Sequence, residues 1–178
     1  FNIYRNDRDD LTSIVNNQIR VLLQDKKGTI WAGTGEGLSA LSLIYDNKDG
    51  KSKEGFFNFI KKENDTTSLS DNNIRCLYED KFGVIWIGTT NGLNRIETQT
   101  NTSSDENYLS KIKFSNNSFT RSFSALTSAE FISSITEDGN GNLWFGTMGN
   151  GLIVYNRKSK SVINYKKNSD DPYSLGSN

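Results

Sequence analysis

Three tryptophans are the first residues in this sequence that could take part in binding chemistry, because flat aromatic rings pack well against the faces of sugars. They are Trp31, Trp86 and Trp144. Each stands at the same position of a repeated motif, and a residue that recurs in this way is more readily explained by packing between repeats of the fold. We therefore predict that the tryptophans are structural and that their loss would reduce stability rather than abolish a binding contact.

A second chemical candidate is the segment 138–142, in which Asp138 alternates with Asn140 and Asn142 as at the start of a calcium-binding loop. An EF-hand loop requires glutamate at its twelfth position, which here is Gly149. The equivalent segments of the other repeats, 25–28 and 80–83, are ordinary Asp-x-x-Gly turns without the added asparagines. The sequence therefore predicts turn residues here, with no metal and no cofactor.

Composition excludes several functional classes. The chain has no histidine, which removes the usual general base near neutral pH and the commonest metal ligand. Lysine and arginine together number 21, as do aspartate and glutamate, so we expect neither nucleic acid binding nor direct membrane contact. The single cysteine, Cys76, cannot form an intramolecular disulfide, and we predict that it is a small residue in a packed strand.

An internal repeat predicts the fold. The pattern Asp-x-x-Gly-x-[Ile/Leu]-Trp-x-Gly-Thr occurs at residues 25–34, 80–89 and 138–147, and its tryptophans stand 55 and 58 residues apart. Each copy is flanked by short runs of β-branched and aromatic residues separated by turn residues, which predicts four strands per copy. Strand A is predicted over 19–24, 74–79 and 132–137; strand B carries the tryptophan; strand C opens at the Gly-Leu steps; strand D is predicted over 56–60, 111–119 and 161–165.

The fold class that follows is all-β, a β-propeller fragment of about three four-stranded antiparallel blades. We predict strand D and a loop of a preceding blade in residues 1–18, with Phe1–Tyr4 as that strand, then blades over 19–73, 74–131 and 132–178. The last blade ends in a loop that leads to a missing blade. Three blades fall below the roughly four of a closed ring, so we expect an incomplete ring whose exposed faces contact neighbouring blades or a second copy of the chain.

The repeated motif, the Gly-Leu step and the Ser68-Leu69-Ser70-Asp71-Asn72 loop together resemble the two-component regulator propeller repeat. The resemblance implies a periplasmic sensor region of a hybrid two-component regulator of the Bacteroidetes type, with a histidine kinase elsewhere in the full-length protein. It also implies signal transduction by carbohydrate sensing, with an oligosaccharide as ligand. The sequence departs from the repeat in the turn 147–151, which is one residue longer than its equivalents, and in the long polar stretch 98–127.

Blade geometry points to one face as the candidate ligand site. The D-to-A and B-to-C connections emerge together on one face of such blades, and amide and guanidinium groups there suit hydroxyl-rich ligands. The predicted ligand-binding residues are Arg20, Glu36, Asn73, Arg75, Asn91 and Asn150, with Asn17, Gln18, Asn72 and Glu130 nearby.

Two other interpretations remain open. In one, the blades only space or dimerise the sensor and have no ligand site of their own. In the other, which the sequence favours least, the segment is a propeller glycosidase or lyase. Such an enzyme needs paired carboxylates, for which Glu36 and Glu130 are the candidates on this face. We predict no catalytic residue and no enzymatic activity in this segment.

Overall fold

Three antiparallel four-stranded sheets make up the computed structural model, which describes residues 1–45, 52–97, 108–115 and 131–178. In each sheet the strands are hydrogen-bonded in chain order. The first blade contains β1 (Ile19–Gln24), β2 (Ile30–Thr34), β3 (Leu38–Tyr45) and β4 (Ser52–Phe59). The second contains β5 (Ile74–Glu79), β6 (Ile85–Thr89), β7 (Gly92–Glu97), a 3-10 helix (Tyr108–Lys111) and β8 (Lys113–Ser115). The third contains β9 (Ile132–Glu137), β10 (Leu143–Thr147), β11 (Leu152–Asn156) and β12 (Ser161–Tyr165).

The predicted fold class is confirmed, and the three predicted A strands coincide with β1, β5 and β9. Three predicted D strands differ. In the first blade β4 begins at Ser52, four residues before the predicted start, and ends at Phe59. In the second blade β8 covers only Lys113–Ser115 of the predicted 111–119, with residues 116–119 outside the described part. Phe1–Tyr4 is not a strand, because none of the described strands runs beside it to complete a ladder. The ring of Tyr4 instead lies edge-on to Phe56, with 5.3 Å between ring centroids.

The aspartate and tryptophan of the motif are hydrogen-bonded partners. The indole Nε1–H of Trp31 donates to Asp25 Oδ2 at 2.9 Å, and that of Trp86 donates to Asp80 Oδ2 at 2.8 Å. The other carboxylate oxygen of Asp80 accepts the backbone N–H groups of Phe82 and Val84 at 2.9 and 3.0 Å. One carboxylate therefore closes the turn between two strands and orients the tryptophan between the blades, which explains why the two residues recur six positions apart.

Neighbouring blades pack face to face, and the motif glycine makes this approach possible. We call the face that each blade turns toward the following blade its trailing face, and the opposite one its leading face. A Cβ atom built on Gly33 would lie 2.6 Å from Ile74 Cγ2 of the second blade, and one on Gly88 would lie 2.8 Å from Ile132 Cγ2 of the third. A larger residue has no room there. The isoleucine at the start of each following A strand therefore sits in a hollow left by glycine.

The hydrophobic core lies between these sheets. Between the first and second blades it contains Trp31, Leu38, Leu69, Ile74 and Ile87, all fully buried. Between the second and third it contains Trp86, whose ring lies edge-on to Phe145 with 6.2 Å between centroids. No helix within the described ranges is long and apolar enough to cross a membrane.

Candidate functional site

One end of the blades carries both kinds of connection that were predicted to meet there. We call this end the top face; it consists of the loops before the A strands and the turns between B and C strands. The backbone N–H of Thr90 donates to the carbonyl of Asn73 at 3.1 Å, and that of Met148 donates to Phe131 at 3.0 Å. These bonds join the two connections of one blade, so the predicted geometry of this face is confirmed.

The B-to-C turns are built around the threonine that ends each motif. Its hydroxyl donates to the carbonyl of the glycine that opens strand C, at 2.8 Å from Thr34 to Gly37 and 2.7 Å from Thr147 to Gly151. The same oxygen accepts a backbone N–H from the turn, that of Glu36 at 3.0 Å in the first blade. The backbone under each turn residue is therefore fixed by the threonine.

Three candidate residues sit on these turns. Glu36 and Asn91 are exposed, and their backbone N–H groups are held by Thr34 and Thr89. Asn150 is half-buried because the longer third turn brings its Oδ1 to 3.5 Å from Asn164 Nδ2. The prediction that the turn 147–151 differs in shape is confirmed: its threonine and glycine are four positions apart instead of three, and Gly149 adopts a φ of +99°.

The two candidate arginines occupy equivalent positions in β1 and β5 and both reach toward the next blade. Arg20 is exposed, and its Nη1 donates to Asn73 Oδ1 of the second blade. Arg75 is also exposed, and its guanidinium carbon lies 4.9 Å from the centroid of the Phe131 ring before the third blade. Three predicted ligand-binding residues, Arg20, Asn73 and Arg75, therefore form contacts between blades. The sequence did not indicate this role for them.

The remaining residues of the predicted site are distributed around this arrangement. Asn17 and Gln18 are exposed before β1, and Asn72 is half-buried because its Oδ1 accepts the backbone N–H of Lys61 at 2.6 Å. Glu130 lies outside the described residues. The top face therefore carries exposed guanidinium, amide and carboxylate groups on a fixed backbone.

The opposite face holds a charged network that sequence reasoning missed. Arg157, after β11, places Nη2 2.5 Å from Asp80 Oδ2 and donates from Nε to the Gly141 carbonyl at 3.0 Å. Burial raises the pKa of the Asp80 carboxyl, but hydrogen bonds from Trp86 and Val84 together with the Arg157 guanidinium outweigh it. The net pKa of Asp80 is therefore below its ordinary value. The motif gave no indication of this ion pair, because Arg157 lies 77 residues from Asp80 in the sequence.

Backbone and charge contacts also recur between blades on that face. The backbone N–H of Lys26 donates to Glu79 Oε2 at 2.8 Å, and that of Lys81 donates to Glu137 Oε2 at 2.9 Å. The Lys81 ammonium lies 3.5 Å from Glu137 Oε1, whose side chain is only 5% exposed. These contacts fix the relative height of neighbouring blades and so stabilise the stacking.

The carboxylate of Asp138, which the sequence offered as a possible calcium ligand, accepts hydrogen bonds from within its own repeat. Oδ2 accepts from Trp144 Nε1 at 3.0 Å and from Asn142 Nδ2 at 2.8 Å, while Oδ1 accepts the backbone N–H groups of Asn140 and Asn142. The bond from Trp144, followed by those from Asn142 and Asn140, lowers the pKa of Asp138 to about 2. Within the described ranges no three His, Cys, Asp or Glu residues are grouped closely enough to hold a metal ion.

Cys76 lies on the trailing face of the second blade. Its thiol is buried and approaches the carbonyl of Ile132 at 3.7 Å. Burial raises the pKa of this thiol to about 12, which keeps it protonated and unreactive near neutral pH. The structure therefore supports the prediction of a packing residue in an inner strand.

Comparison with known proteins was consistent across sequence and structure. The family model "Two component regulator propeller" matches residues 13–36, 68–91 and 126–149. A protein named histidine kinase P4, from Formosa agariphila, is 36% identical over 109 residues, which are 61% of this chain and 7% of that protein.

Two solved structures of one B. thetaiotaomicron protein are similar over nearly the whole chain. The extracellular domain of a putative hybrid two component system is 26% identical with a TM-score of 0.61, covering 94% of this chain and 19% of that one. The extracellular domain of a putative one component system is 25% identical with a TM-score of 0.60, covering 93% and 18%. The chain thus spans less than a fifth of each of these relatives. The chain therefore carries three blades, each with a repeat that is similar to the two-component regulator propeller repeat.

Proposed function

We propose that this chain is a propeller segment of the extracytoplasmic sensor region of a hybrid two-component regulator, and that its top face binds an oligosaccharide. The similar structures described as extracellular domains of two component systems support the sensor role. The match to a histidine kinase supports a kinase elsewhere in the full-length protein. The periplasm is accordingly the proposed location.

The observation that carries the ligand proposal is the pairing of exposed polar groups with an aromatic ring at the junction of the second and third blades. Arg75 lies over the ring of Phe131, and Asn91 projects from the adjacent turn of the second blade. Sugars present hydroxyl groups that both donate and accept hydrogen bonds, together with apolar C–H faces that pack on aromatic rings. A guanidinium, an amide and a half-buried ring on one fixed surface match both features.

A structural role is the second candidate, and it too is favoured by a specific observation. Arg20 bonds to Asn73 and Arg75 covers Phe131, so both arginines connect successive blades. On this alternative the blades only space or dimerise the sensor, and the ligand of the full-length protein binds elsewhere.

Catalysis by this segment is not part of the proposal. Glycoside hydrolysis requires two carboxyl groups at a defined separation. Glu36 stands alone among the described candidates, and Asp71 on the same face accepts hydrogen bonds from Asn73 N–H and the Thr90 hydroxyl at 2.8 Å each.

The test is the thermal stability of the chain in a panel of neutral and acidic oligosaccharides, followed by calorimetric titration of any that raise the melting temperature. Arg75→Ala and Asn91→Ala should each weaken binding by about tenfold, the loss expected for a direct hydrogen bond to a ligand. Lys158→Ala is the matched control, because Lys158 is exposed in the C-to-D turn of the opposite face.

Each outcome distinguishes the two candidates. Binding that is lost in Arg75→Ala and retained in Lys158→Ala supports the ligand site. If no sugar in the panel stabilises the chain, and the intact sensor signals normally with Arg20, Arg75 and Asn91 all replaced by alanine, the ligand proposal fails and the structural role remains.

A further inference from the structure

An open cleft lies at the outer edge of the junction between the first and second blades. Its volume is about 260 Å³, and its walls are the end of β4, the loop that follows β4 and residues 110–114 of the second blade. Ligand pockets typically measure about 300 to 1,000 Å³, so this cleft has room for a small ligand. Neither Arg75 nor Asn91 lines it, so it is separate from the site proposed on the top face.

Lysine side chains give this cleft a surplus of positive charge. Lys62, Lys111 and Lys113 line it, and Asp65 is the one acidic residue among the lining residues. Lys62 and Lys113 are exposed, and in the part of the chain that the structure describes neither ammonium has a carboxylate oxygen within 4.0 Å. Both charges are therefore available to a bound anion.

The carboxylate of Asp65 is already used by its own loop. Oδ1 accepts the backbone N–H of Thr67 at 2.9 Å and the Thr67 hydroxyl at 2.7 Å. These bonds lower the pKa of Asp65, and the charges of Lys62 and Lys113 lower it further. Lys62, on the loop, and Lys113, on β8, therefore act on the same small region of the cleft.

The buried part of the lining is apolar and is held in place by the core. The ring of Phe59 is half-buried and lies edge-on to Phe114, with 5.4 Å between ring centroids. Ile60 and Ile112 extend this apolar surface. The backbone N–H of Phe114 donates to the Thr67 carbonyl at 2.8 Å, which ties the loop to β8. A ligand would therefore meet a preformed surface that is apolar inside and cationic at its edge.

Comparison of the three repeats shows that the aspartate belongs to the fold. Asp65 corresponds to Asp10 and Asp171, and each of these carboxylates accepts the backbone N–H of the residue two positions later. The same loop is therefore closed by an aspartate in every repeat, whatever the charge around it.

The lysines, in contrast, are particular to the second blade. Their equivalents in the first and third repeats are uncharged or acidic. These are Asp7 and Asn168 for Lys62, and Gly55 and Ser161 for Lys113. Within the described ranges the 3-10 helix that ends at Lys111 also occurs in the second blade alone. Because the other repeats form the same loop and strand without these lysines, the fold does not require them, and a ligand would explain them.

From these observations we propose that the cleft between β4 and β8 binds a small organic anion, a sugar-sized molecule that carries a sulfate, phosphate or carboxylate group. Lys62 and Lys113 donate hydrogen bonds to the anionic group, and the apolar part of the ligand packs on Phe59 and Ile112. An ammonium is a compact charge with three donors, which suits an anionic group of any of these shapes. The proposal does not depend on ligand binding at the top face.

The experiment is an NMR titration of the isotope-labelled chain with glucuronate, with a sulfate and a phosphate ester of glucose, and with glucose itself. The anions should shift the backbone amide signals of Ser68 and Lys113, and added salt should weaken the effect because it screens exposed charges. Glucose has the same body without the charge, and it should leave these signals unchanged at equal concentration. Comparison of the anions shows which charged group the cleft prefers.

Variants of the lysines and of the aspartate should change the affinity in opposite directions. Lys62→Ala and Lys113→Ala should each weaken binding about tenfold, through the loss of a hydrogen bond to a charged group. Asp65→Asn keeps Oδ1 for Thr67 and removes a negative charge from the lining, so it should strengthen binding about threefold. Lys61→Ala is the matched control, because Lys61 is exposed beside Lys62 but does not line the cleft.

Binding of the anions that responds in these directions supports the proposal. The proposal is overturned if none of the anions shifts the amide signals around the cleft, or if glucose shifts them as strongly. It is also overturned if Lys62→Ala and Lys113→Ala bind the anions as tightly as Lys61→Ala does.

Discussion

Replacing Asp80 by asparagine tests whether the motif carboxylate is a structural hub. Asp80 is fully buried, and its Oδ2 receives Trp86 Nε1–H at 2.8 Å and Arg157 Nη2 at 2.5 Å. Asparagine has the same shape and keeps Oδ1, so the backbone bonds from Phe82 and Val84 survive. Its amide NH₂ group, however, takes the place of Oδ2. The amide hydrogens then face the N–H groups of Trp86 and Arg157, which lose their acceptor.

The magnitude follows from the bonds that are lost. A hydrogen bond to a charged group contributes about 1.5 to 3 kcal/mol, and removing one member of a buried ion pair costs about 3 to 5 kcal/mol. The Arg157 side chain is 23% exposed and regains part of its hydration, which lowers the cost. We therefore expect Asp80→Asn to reduce the free energy of unfolding by about 3 to 4 kcal/mol.

Equilibrium urea unfolding, followed by tryptophan fluorescence and circular dichroism, measures this loss. Asp138→Asn is the matched control, because Asp138 holds Trp144 in the same way but its turn is more exposed and no arginine ion pair to it is found among the described residues. Asp138→Asn should lose less free energy of unfolding than Asp80→Asn. A change of under about 1 kcal/mol in Asp80→Asn, or an equal loss in both variants, would refute the account of Asp80 as a hub between blades.

Three further predictions concern the same interfaces. The pKa of Asp80 in the folded chain is below its ordinary value of 3.8, so the ionised carboxylate contributes its full stabilisation above that pH and loses it as the pH falls further. The free energy of unfolding, measured as a function of pH, should therefore fall in acid, and Asp80→Asn should make this fall smaller. Cys76, with its buried thiol of pKa about 12, should react with a thiol reagent only on unfolding, and labelling at the same rate in native buffer and in denaturant would contradict this. Gly33→Ala should cost about 1 to 3 kcal/mol by overpacking against Ile74, whereas Gly139→Ala should leave urea unfolding nearly unchanged.

The sequence by itself determined the four strands of each blade and their order, because turn chemistry is local. Asp-x-x-Gly and Gly-Leu act within a few residues of each strand, and each copy of the motif repeats the same local information. The A strands at 19–24, 74–79 and 132–137 could therefore be predicted to the residue. Burial of Trp31 and Trp86 followed from the same periodicity, whereas Trp144 is half-buried.

Contacts between blades were decided by the tertiary structure alone. The pairing of Asp80 with Arg157 spans 77 residues, and the bridge from Arg20 to Asn73 spans 53, so no local pattern marks them. The same reason explains the failure at Phe1–Tyr4, whose composition suits a strand but which has no neighbouring strand to pair with in the described part of the chain. A strand is stabilised by its partner as much as by its own residues, and the sequence of one segment does not contain its partner's position.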